Sequence, residues 1–162
     1  MENELKVVDI FIGTTLRGSA KGSGRVMYIM RTKRKNGSDY EAAPQIVEYD
    51  NTTESESVLR AIRDALQRLH YACTVVIHTE CSNVAAAITQ HWPEKWQHDG
   101  WKSAKGNPVK NAVLWEMLLQ DVEEGGHILL AEGEKHEYAE WMRFNMPLKR
   151  VLKDIFTEVP KS

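Results

Sequence analysis

The chain has 162 residues, 42% of them hydrophobic and 27% charged, with a formal net charge of −2. That length suits one domain with a proper core, and a charge balance so near zero excludes a polyanion binder that works by bulk charge. Two cysteines, Cys73 and Cys81, lack metal-ligand spacing and make too thin a disulfide framework, so both are expected as reduced structural thiols. Met1–Glu4 carries no basic start of a leader, and no apolar run approaches the roughly 18 residues that a membrane span needs. A cytoplasmic, monomeric protein without a membrane role is therefore expected.

Leu5–Ile12 is apolar and β-branched, as a central strand covered on both faces requires. Glycines 18, 22 and 24 punctuate a turn, Val26–Thr32 reads as a second strand, Asn36-Gly37 as a turn, and Ala43–Tyr49 as a third strand. The period then changes: Val58, Leu59, Ile62, Leu66 and Leu69 recur at helical spacing over Glu54–His70. Thr52 or Thr53 supplies the N-cap, and Glu56, three residues after Thr53, completes a capping box. A short buried strand at Cys73–Thr79 follows, then helices at Ser82–His91 and Asn111–Val122. The last strand is read at His127–Ala131 and a terminal helix over Lys135–Phe156, with a possible break at Pro147. One domain over residues 1–158 is expected, with a short polar tail at 159–162.

Charge and aromatic residues are unevenly placed. Seven basic residues and no acid lie between Arg17 and Lys35, and four of the five tryptophans fall between Trp92 and Trp115, interleaved with lysines. Tryptophan rings offer stacking surface and ammonium groups suit phosphates; equally, the rings could seal a helix–loop–helix corner with the lysines solvated outside.

The order of residues in this stretch narrows the choice. Gly100-Trp101-Lys102, Pro108-Val109-Lys110-Asn111 and Leu114-Trp115 closely resemble the basic handle of bacterial-type ribonuclease H. Val8-Asp9-Ile10-Phe11, Thr53–Ala61, Val76–Cys81, Ala87–Gln90 and Glu137–Glu140 extend the resemblance in the right order over nearly the whole chain. It implies an α/β ribonuclease H-like fold, a mixed five-stranded sheet flanked by helices. It also implies an RNA/DNA hybrid, or another A-like duplex, as partner, and endonucleolytic cleavage of the RNA strand with two Mg2+ or Mn2+ ions held by clustered carboxylates.

Carried over position by position, the resemblance assigns Glu56, Glu80 and Glu140 as metal ligands and catalytic carboxylates. It assigns His136 as the histidine that assists product release. The first-strand acid of the family falls on Gly13, so one ligand is missing and both remaining Asp positions have become Glu. Asp9 lies too far along the strand to substitute, whereas Asp50 and Glu54 flank the right junction. Hybrid contacts are implied for Arg17, Thr52, Thr53, Ser82 and Asn83, and on the handle for Trp96, Trp101, Lys102, Lys105 and Lys110. Two other functions stay open: a duplex-binding module that keeps fold and handle but no longer cuts, and a regulatory subunit whose Trp-rich surface meets a protein.

Overall fold

A computed structural model describes residues 5–146. Strands β1 (Lys6–Thr14), β2 (Gly22–Lys33), β3 (Asp39–Glu41), β4 (Gln45–Thr52), β5 (Cys73–His78) and β6 (Ile128–Glu132) form one sheet. Helices α1 (Glu54–Leu66), α2 (Ser82–Thr89), α3 (Trp92–His98), α4 (Ala112–Gly125) and α5 (Ala139–Asn145) surround it. The sheet is mixed. β1 lies antiparallel to β2 and parallel to β5, and β6 continues the parallel half.

The expected five strand positions are filled by six segments. β3 pairs with the end of β2 through Arg31↔Glu41, and β4 pairs with the same side of β2 through Met27↔Ile46. The interruption falls at Ala42-Ala43-Pro44, where proline has no N–H to donate to the ladder. The terminal helix departs more. It begins at Ala139, not Lys135, because residues before it turn inward, and Pro147, the expected continuation to Phe156 and the polar tail lie outside the described residues. One helix was not foreseen: α3 starts the handle, with Pro93 in its first turn.

Strand alternation divides the core. Val8, Ile10 and Ile12 point to the face covered by α1 and α4, where Val58, Leu59, Ile62, Trp115 and Leu118 are all buried. The spacing of those α1 residues gives the helix its single apolar stripe, and a bidentate Arg63–Asp121 pair (2.6 and 3.3 Å) ties α1 to α4 beside it. Phe11 points to the opposite face and meets Met27, Ile29, Met142 and Met146, so α5 covers that side of β1.

The core makes a direct prediction. Leu118, on α4 where it packs against α1, is fully buried in the main core, so Leu118→Ala should cost about 2–5 kcal/mol through lost transfer energy and a residual cavity. Chemical denaturation followed by circular dichroism measures it.

Candidate active site and nucleic-acid interface

The end of β1, the end of β5 and helix α5 enclose a cavity of about 380 Å3, lined among others by Gly13, Thr14, Arg17, Glu80, Met142 and Arg143. Gly13 sits in the β1–β2 ladder opposite Met27 and has ordinary strand backbone, not a positive φ. Its bare Cα is needed for space: a Cβ there would lie 2.8 Å from Met142 Sδ and 3.3 Å from Met142 Cβ. A buried methionine thus fills the place where the resemblance would put a bridging carboxylate.

The three expected carboxylates are each engaged by the protein's own groups. Glu56 turns back on its helix terminus, accepting from the Thr53 N–H (3.1 Å) and the Thr52 hydroxyl (3.2 Å) to close the capping box. The α1 residue that faces β1 is its neighbour Ser57, fully buried and hydrogen-bonded to the Thr14 hydroxyl at 2.9 Å. Glu80 lines the cavity but is paired with Arg143, whose Nη2 lies 3.2 and 3.4 Å from its two oxygens. Glu140 is exposed and bonded to Lys135, which holds its carboxyl below the usual range.

Neither flanking acid replaces the bridge: Asp50 accepts from the Ser23 hydroxyl and Glu54 from the Gly18 N–H. Asp9 is held by His78 Nε2 at 2.8 Å. Among the described residues, no group of three or more His, Cys, Asp or Glu side chains could hold a metal ion. A divalent centre needs converging oxygens at roughly 2.0–2.6 Å, so the residues present do not fit the two-metal site that the resemblance implies.

His136 is held inside the fold. Its ring is buried, with Nε2 donating to the Ile12 carbonyl at 2.8 Å and Nδ1 accepting from the Tyr138 N–H at 3.2 Å. Burial pushes its pKa down. Both ring nitrogens are thus engaged by the backbone. His136 anchors the start of α5 to β1.

The handle is a small closed structure. Val109 N–H donates to the Trp101 carbonyl (3.1 Å), Ser103 N–H to Asn107 (2.7 Å), and Lys102 bridges Pro108. Trp96 packs edge-on to buried Trp115 at 6.1 Å, and both Trp96 and Trp101 lie against the main core. Those two rings therefore brace the corner and are poorly placed to stack on bases. Trp92, which the sequence did not single out, is the more open ring at 39% exposure. Lys102, Lys105 and Lys110 face solvent. So do Arg17, and Ser82 and Asn83 at the start of α2, whereas Thr52 is buried and Thr53 is occupied as the α1 cap.

Residues that resemblance alone missed are Ser57, Met142 and Arg143. The apolar register of Val58-Leu59 and Ile62 was the available signal for Ser57, since it fixes which neighbour turns inward.

Comparison with known proteins agrees with the fold. The RNase H family profile matches residues 13–130. The ribonuclease H of Oleidesulfovibrio alaskensis is 31% identical over 117 residues, covering 71% of this chain and 70% of that one. That of Caldicellulosiruptor saccharolyticus is 38% identical over 71 residues, and there the chain spans only 49% of the relative. Among solved structures, LC9-RNase H1, described as a type 1 RNase H with the type 2 active-site motif, superposes with a TM-score of 0.69 at 18% identity. It covers 90% of this chain and 72% of that one. A foamy viral protease-reverse transcriptase in complex with RNA/DNA hybrid superposes at 0.60 and 14% identity, over 80% of this chain and 17% of that one. At such identities the likeness establishes the fold alone.

Two predictions test the cavity. Gly13→Asp alone should lower stability by about 1–3 kcal/mol from overpacking against Met142, and adding Met142→Ala should recover part of it, both read from denaturation midpoints. His136 also sets a pH dependence. Its folded pKa lies below the ordinary value near 6.5, so the unfolded chain takes up the proton first. Stability should be full above about pH 6.5 and fall as the pH drops below it, with a shallower loss in His136→Gln.

Proposed function

Because the chain belongs to the ribonuclease H family, with a profile match over residues 13–130, we propose that it acts on RNA/DNA hybrids. Family membership supports hydrolysis of the RNA strand. The geometry supports best the recognition half of that activity, with an altered carboxylate set at the centre. The observation that carries this reading is the handle: a Trp-braced hairpin holds Lys102, Lys105 and Lys110 outward in solvent.

On a rigid base, three ammonium groups neutralise backbone phosphates without reading sequence, and each contact releases counterions. Arg17, Ser82 and Asn83 are exposed and of the types that read 2′-hydroxyls and backbone across the shallow groove of an A-like duplex. Thr52 and Thr53 contribute indirectly, by fixing the α1 terminus through Glu56. Family members use divalent metals; here no step is assigned to one, because Gly13 and Ser57 offer no carboxylate and Glu56, Glu80 and Glu140 are otherwise engaged.

A second reading, a duplex-binding module that does not cut, is favoured specifically by the lack of a metal-holding cluster among the described residues. One assay separates them. A labelled hybrid should be bound under both readings; RNA-strand cleavage in Mg2+ or Mn2+ follows from the first, and binding without cleavage from the second. Replacing Lys102, Lys105 and Lys110 together by Ala should weaken binding across unrelated sequences and reduce the salt slope by up to about three. Brisk Mg2+-dependent cleavage would put hydrolysis first and require the carboxylates to rearrange on the duplex.

A further inference from the structure

Cations of the chain itself stand at the cavity where a metal centre would be expected. Two arginines and one acid line it, leaving an excess of one positive charge. Arg17 is anchored at the rim by Nη1, which donates to the carbonyls of Thr14 and Leu16, each at 2.7 Å. Arg143 meets Glu80 through Nη2 only. Each guanidinium therefore keeps Nε and one further nitrogen without a partner among the described residues. Gly13 adds no side chain, and buried Met142 packs against its Cα with apolar atoms, leaving the guanidinium groups open to solvent.

We propose that this cavity is a metal-independent phosphodiester subsite, in which Arg17 and Arg143 together take one backbone phosphate of the bound duplex. Planar guanidinium groups with spare donors match phosphate oxygens in pairs, and Glu80 positions Arg143 while neutralising part of its charge. This rests on the hybrid-binding reading and goes beyond it: the protein needs no divalent ion to hold its substrate, whereas a bare carboxylate cluster would repel phosphate until metal arrived.

The test is fluorescence anisotropy with a labelled RNA/DNA hybrid, first in EDTA and then in Mg2+ at matched ionic strength. The two Kd values should agree within about two-fold. Arg143→Gln should weaken binding about ten-fold, Arg143→Lys much less because the charge is kept, and Glu80→Gln should tighten it. Unchanged thermal melting of Arg143→Gln shows that the loss is not unfolding. Binding that drops ten-fold or more in EDTA overturns the proposal, since a metal then holds the phosphate. If Arg143→Gln and Arg17→Gln bind as wild type while the triple handle variant is weakened, the cavity is no subsite but the hybrid reading stands. If the handle variant also binds as wild type, that reading itself fails.

Discussion

The approach of Met142 to the bare Cα of Gly13 sets the arrangement of everything around the cavity. A side chain at that position would crowd the Met142 side chain; without one, Met142 packs beside Gly13 and together with Phe11, Met27 and Ile29. That packing brings Arg143, one residue on, beside Glu80, and lets His136, six residues back, reach the Ile12 carbonyl. One missing side chain thus links packing to electrostatics. The helix is fixed by burial, and its charges follow.

The consequence is a centre neutralised from within. Where acids gather at one point, mutual repulsion raises the pKa of one of them or draws in a cation. Here Glu80 is paired with Arg143 of α5, Glu140 with Lys135 five residues before it, and Glu56 is spent on helix capping. Exposed pairs of this kind add little to stability, so their significance is in what they withhold from a metal. The handle is built the other way: its aromatic rings lie against the core and its lysines face solvent.

Much of the architecture was legible because hydrophobic periodicity reports burial directly. The first strand, read at Leu5–Ile12, runs on two residues to Thr14, and the capping box at Thr53 and Glu56 and the α1 stripe appear where their patterns put them. On the edge, the sequence reading placed a strand at Ala43–Tyr49, which β4 fills from Gln45 onward, and left out the three-residue β3, too short to show an alternation of its own. Site residues were harder. Glu56 matches both a metal ligand and a capping partner, and only the helix register, which turns Ser57 inward, separates the two. Likewise His136 looks exposed in a polar loop, since no local pattern reveals that its ring bonds to a strand more than a hundred residues earlier. Side-chain competition over long sequence separations carries no periodic trace.

The broken edge of the sheet bears on how the molecule keeps to itself. An uninterrupted outer strand presents a row of unpaired N–H and C=O groups onto which a second chain can zip. Here that row is only three residues long at β3, stops at a residue with no donor, and resumes at β4 after a shift in line. A continuous added strand would have to cross that gap, so this border offers a shorter template than an unbroken edge of the same length.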